Sequence, residues 1–150
     1  MLRNTAKKIR ETMYDELGDQ GEEILDKECN AVGKNLEEMD NNEISELLDR
    51  IQEDVRYFRG VDKANEVKNR IKKYQLLEKL DDVGRERESN IKIMTQYELN
   101  RDLGDIFVEL GDMDKAEEYF DNMMDMAEKL DKDDMVVDTY DRLSNVHLQK

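Results

Sequence analysis

The chain has 150 residues, 42% of them charged and 37% hydrophobic, with a formal net charge of -15. A surface this acidic repels phosphate backbones and anionic lipid headgroups, so neither nucleic acid nor a membrane surface is an expected partner. No run of about 18 apolar residues exists to span a bilayer. The N-terminal MLRNTAKKIRETMYDEL has no continuous apolar core and does not read as a secretory leader. The single Cys29 cannot form an internal disulfide, and together these features point to the cytoplasm.

Helical periodicity runs nearly end to end, without proline to interrupt it. Leu2, Ala6, Ile9, Met13 and Leu17 form the stripe of a first helix that Gly18 stops. Asp19 with Glu22 suggests a capping box for a second helix, whose face is Ile24, Leu25, Cys29 and Val32 and whose end is near Gly33. Residues 34–40 read as a loop. Asp40 with Glu43 then opens a third helix bearing Ile44, Leu47, Leu48, Ile51, Val55 and Phe58. Gly60 suits the left-handed position that closes it. Asp62 can cap a fourth helix, with Ala64, Val67, Ile71, Tyr74, Leu77 and Leu80, which Gly84 ends. A fifth begins between Arg85 and Asn90 and carries Ile91, Met94, Leu99, Leu103, Ile106, Phe107 and Leu110, with Gly111 as its stop. Asp114 with Glu117 suggests the next cap, before Met113, Ala116, Phe120, Met123, Ala127 and Leu130. The DKDD stretch is a turn, and a last helix holds Val136, Val137, Tyr140, Leu143 and His147. Nothing reads as a strand. The expected fold is all-α, with a helical pair over 1–40 and a helical-hairpin region over 41–150 across a soft boundary.

A shift of about 40 residues lays RDLGDIFVEL (101–110) over DRLSNVHLQK (141–150). Leu103 falls on Leu143, Gly104 on Ser144, Ile106 on Val146 and Asp102 on Arg142. Asp62-Lys63-Ala64 recurs as Asp114-Lys115-Ala116, at a slightly different offset.

The segment LGDIFVELGDMDKAEEYF (103–120) resembles a tetratricopeptide repeat. The family's Leu-Gly pair appears as Leu103-Gly104, its following aromatic as Phe107, its inter-helix glycine as Gly111. Its small residue and aromatic on the second helix appear as Ala116 and Phe120. A small Gly104 lets the second helix lie close at Ala116, while Phe107 and Phe120 fill the space around the contact. Asn100 stands at the family's tryptophan position, the terminal proline is absent, and the repeat is longer than the usual length of roughly 34. The likeness is best over 97–130, partial over 134–150 and weak over 43–82, and it does not reach 1–40. It implies a short α-solenoid of stacked antiparallel hairpins that binds partners along the surface of the first helix of each repeat. On this chain that surface is Glu98, Arg101, Asp105, Val108 and Glu109, continued by Asp138, Asp141, Asn145 and Leu148. It is mostly acidic, so a basic or amphipathic protein segment is the electrostatic match.

Catalytic and metal chemistry have few candidates. The one histidine, His147, has Ser144 where a Glu-x-x-His site needs its glutamate. One cysteine and one histidine do not make a structural zinc site, and Cys29 on an apolar stripe reads as a packed thiol. Asp131-Lys132-Asp133-Asp134 lacks the glycine and distal glutamate of a calcium loop. No cofactor and no enzymatic activity are expected. Met113 and Met123 read as core, whereas Met124 and Met126 lie partly off the stripe and suit partner contact. The leading expectation is an adaptor or scaffold binding another protein. A second reading is a self-associating subunit that pairs copies through the C-terminal helix, and a third is a small-ligand sensor or enzyme.

Overall fold

The computed structural model describes residues 2–150, with side chains from Asn4 onward; Leu2, expected on the first stripe, lies outside the described side chains. Seven α-helices and one short 3-10 turn occur among the described residues, and no strand does. The helices are α1 Leu2–Leu17, α2 Asp19–Val32, α3 Asn41–Arg59, α4 Val61–Gly84, α5 Asn90–Glu109, α6 Met113–Leu130 and α7 Asp133–Gln149. Among the described residues no helix is long and apolar enough to cross a membrane.

The chain divides into two compact units, residues 1–74 and 75–150. The division expected between 1–40 and 41–150 falls inside the first unit. Its core draws Ala6, Ile9 and Met13 from α1, Ile24 and Leu25 from α2, and Ile44, Leu47, Ile51 and Val55 from α3. Ala64, Val67 and Ile71 complete it from α4. The stretch expected to be a loop adds Leu36 and Met39, both fully buried, the first opening the 3-10 turn Leu36–Glu38 and the second directly following it. Ion pairs between helices add to this unit's packing, two groups of them centred on largely buried carboxylates. Glu28 of α2 accepts from Arg50 of α3 at 2.9 Å. Glu16 of α1 meets Lys63 of α4 at 2.5 Å and also pairs with Arg70.

The second core contains Leu76 of α4, Tyr97, Leu99, Leu103, Ile106 and Phe107 of α5, Ala116, Phe120, Met123 and Ala127 of α6, and Met135 and Val146 of α7. Leu77, Leu80 and Val83 of α4 pack against it. One stretch of α4 therefore supplies the first core and a later stretch the second, which accounts for a helix with little apolar asymmetry along its whole length.

Local signals placed the helices better than their caps. The Asp40–Glu43 capping box forms, Glu43 N–H donating to Asp40 Oδ1 at 2.8 Å. The box expected at Asp19 does not: Gly18 is the N-cap of α2 and supplies no side-chain acceptor. Val61 starts α4 directly after Gly60, so Asp62 lies inside the first turn. Gly60 has φ 90 but ψ 173, an extended glycine conformation and not the left-handed helical one. The cap of α6 is Asp112, two residues before the expected Asp114, and it accepts from Lys115 N–H at 3.1 Å. Ser89 caps α5 by accepting from Lys92 N–H at 3.1 Å.

Several expected stripe members face solvent. Phe58 is exposed and stacks edge-on with Tyr57, and Ile91 is exposed on the first turn of α5. On α7 the buried residues are Met135, Thr139 and Val146; of the expected stripe, Val136 and Leu143 pack partly buried against the second core, whereas Val137, Tyr140 and His147 point outward.

Candidate interaction surface

The surface begins with how α5, α6 and α7 hold one another. Gly104 on α5 is buried, and a Cβ there would overlap the ring of Phe120 on α6, lying 2.6 Å from Cδ1. The neighbour that requires glycine is thus Phe120; Ala116, the expected contact, is buried one turn earlier on α6. Phe107 and Tyr119 stack with ring centroids 5.4 Å apart and planes 10° from parallel, an arrangement that adds to the gain from burial alone. Leu103, Phe107, Ala116 and Phe120 all enter the second core, and Gly111 with φ 81 carries the chain from α5 toward α6. At the other end of α6, Asp131 adopts a left-handed conformation and closes the helix within the DKDD turn.

Polar contacts join α5 to α7. Arg142 of α7 donates from Nε to Asp105 Oδ1 at 3.0 Å and from Nη2 to Asp105 Oδ2 at 3.2 Å. Its Nη1 also pairs with Asp138, one turn earlier on α7. Tyr97 of α5, buried, donates toward Asp138 Oδ2 at 3.3 Å and lies 3.4 Å from the Met135 carbonyl oxygen. Hydrogen bonding to Asp105 holds the Arg142 guanidinium above its ordinary pKa. Burial, reinforced by the Asp138 charge, raises that of Tyr97. Both groups stay protonated across the neutral range.

The expected surface residues divide accordingly. Asp105 and Asp138 come together around Arg142 and serve the α5–α7 contact. Arg101 is half-buried and pairs with Asp102 at 3.2 Å. Val108 packs partly into the second core. Glu98, Glu109, Asp141, Asn145 and Leu148 are exposed. Tyr97 and Arg142 were not singled out by sequence. The spacing of Asp138 and Arg142, four apart on one helix, was a signal for part of this arrangement; the contact with Asp105 was not legible, being 37 residues away.

Asn100, at the position where the resemblance expects tryptophan, is buried, with its amide nitrogen donating to the Gln96 carbonyl at 2.8 Å and its Oδ1 without a partner. Met126, a candidate for partner contact, packs partly buried against the second core, and Met124 is half-buried. His147 is exposed, 4.0 Å from Glu117.

Cys29 is half-buried against the first core, and burial pushes its thiol pKa up. Between α1 and α2 lies a cleft of about 250 Å³ lined by Arg10, Met13, Glu22, Leu25 and Asp26. Its one cation, Arg10, is already engaged by Glu37 at 2.9 and 3.0 Å. Among the described residues no group of three or more His, Cys, Asp or Glu side chains is arranged to hold a metal ion. No family model, no curated protein and no solved structure matches the chain.

Proposed function

We propose that the chain is a non-catalytic interaction module, an adaptor or scaffold of the tetratricopeptide type, that binds a basic or amphipathic protein segment along the wall made by α5 and α7. The observation that carries this reading is the Asp105–Arg142–Asp138 bridge with Tyr97 beside it, which ties the two helices laterally. Two laterally joined helices offer one continuous strip in place of two separate faces. Glu98, Glu109, Asp141 and Asn145 stand exposed on that strip, while its two arginines are engaged by carboxylates, Arg101 by Asp102 and Arg142 by Asp105 and Asp138. A strip of this charge favours encounter with lysine- and arginine-rich segments and disfavours acidic ones.

The test is selection of binders from a displayed library of lysine- and arginine-rich amphipathic peptides, followed by surface plasmon resonance at low and physiological salt. Glu98→Lys combined with Asp141→Lys should weaken the selected peptides about tenfold and flatten the salt dependence, since each replacement removes an attraction and adds a repulsion. Circular dichroism should be unchanged, because both side chains are exposed. Unaltered affinity in a folded variant would refute the wall as the binding surface.

A further inference from the structure

The offset of about 40 residues that maps α5 onto α7 allows the cover of the two helices to be compared position by position. Residues Tyr97, Asn100, Gly104 and Val108 of α5 correspond to Val137, Tyr140, Ser144 and Leu148 of α7. The four on α5 are covered: Tyr97, Asn100 and Gly104 are buried, and Val108 packs against the core. Their equivalents on α7 are bare, Val137 being 59% exposed, Tyr140 62% and Leu148 85%, with Ser144 exposed between them. The inward positions agree across the same offset, Ile106 and Val146 both being buried. The two helices therefore match at Ile106 and Val146 and differ on the side that α6 and α7 cover in α5, where Phe107, stacked on Tyr119, likewise corresponds to the exposed His147.

The residues on the bare side are suited to a helix. Their spacing of three, four and four places them on one face. Ser144 is the small residue where Gly104 admits the Phe120 ring of α6. The charged side chains flanking the stripe are Asp133, Asp134 and Asp141, all exposed, whereas Arg142 is committed to Asp105 and Asp138, and Lys150 to Asp114 and Glu117. A second copy would bring the same aspartates to this face and be repelled, while a partner with lysines or arginines beside an apolar stripe would be attracted.

We infer that the outward face of α7, formed by Val137, Tyr140, Ser144 and Leu148, docks an amphipathic basic helix of a partner protein, laid on α7 as α6 lies on α5. This face is distinct from the α5–α7 wall and shares only Leu148 and the edge at Asp141 with it, so either could exist without the other.

The probe follows from the same logic. It is a peptide of residues 112–131, the α6 sequence, carrying Asp114→Lys, Glu118→Lys, Asp121→Lys, Asp125→Lys and Glu128→Lys, with a hydrocarbon cross-link between positions 115 and 122 to hold it helical. The unsubstituted cross-linked peptide is the charge control. Fluorescence anisotropy with the full chain should show binding of the lysine peptide and at least about tenfold weaker binding of the acidic one. The variant Val137→Ser, Tyr140→Ser, Leu148→Ser keeps every charge and should lose about tenfold or more in affinity. Glu98→Lys, which reaches only the wall, should leave it within about twofold. The inference is overturned if the lysine peptide does not bind, if the triple serine variant binds it equally, or if Glu98→Lys weakens it as much as the serine variant does. Sedimentation velocity supplies the remaining outcome: a dimer of the native chain that the serine substitutions dissociate would give the face to a second copy and overturn the proposed partner.

Discussion

Arg142 and Asp105, 37 residues apart, meet in a two-pronged ion pair at 3.0 and 3.2 Å that joins α7 to α5. Because the pair is partly open to solvent, its worth is modest despite good geometry. Arg142→Gln should lower the unfolding free energy by about 1 kcal/mol, and Asp105→Asn by about the same. A double-mutant cycle read by urea denaturation should give a coupling of about 0.5 kcal/mol or more, with additive losses excluding a direct interaction. For the same reason Asp105 is a poor residue with which to test partner binding, since its replacement disturbs the helix contact as well as the surface charge.

Gly104 and Phe120 make the strictest steric demand in the second unit. Gly104→Ala should destabilise by about 1–3 kcal/mol and Gly104→Leu by more, because the added atoms meet an aromatic ring packed in the core. Combining Gly104→Ala with Phe120→Leu should cost less than the sum of the two single changes. Thermal melts of the four proteins decide this, and strict additivity would show that the helices do not meet there.

Gly21 of α2 is the corresponding demand in the first unit, and periodicity did not mark it. A Cβ at Gly21 would lie 2.7 Å from the Met13 carbonyl carbon, and backbone cannot rotate away as a side chain can. Gly21→Ala should cost about 2–3 kcal/mol. At Gly84, the last residue of α4, a Cβ meets nothing within 4 Å, so Gly84→Ala should stabilise by about 0.5 kcal/mol through the less flexible unfolded chain. Equilibrium unfolding should show opposite signs for the same chemical change.

Glu16 gives the first unit a defined acid sensitivity. Burial alone would raise its pKa, but hydrogen bonds and charge from Lys63 and Arg70 outweigh that and hold the carboxyl below its ordinary 4.5. The folded pKa is the depressed one. The stabilisation is therefore fully present above about 4.5 and fades as pH falls through the lowered folded value. Glu16→Gln should cost about 2 kcal/mol at neutral pH and lessen the further loss on acidification. Denaturant midpoints from neutral down to about pH 3 test this; parallel curves for native and variant chains would remove Glu16 from the acid response.

The sequence by itself determined that the chain is helical and, closely, where its helices lie. Apolar spacing and glycine stops are local features, and a helix forms from contacts within four residues. The Asp40–Glu43 cap and the burial of Leu103, Phe107, Ala116 and Phe120 follow from them. Tertiary structure alone decided which apolar residues had neighbours. Phe58, Ile91, Val137 and Tyr140 carry the same kind of signal as their buried companions, yet face solvent because no helix covers them. Leu36 and Met39 lie in a stretch too short for any period to show, and are buried because they join the core of the first unit. Nor could local spacing pair Arg142 with Asp105, assign two stretches of α4 to two cores, or set Phe120 against Gly104. The period of a helix fixes which side chains share a face, whereas what that face meets depends on how distant segments pack.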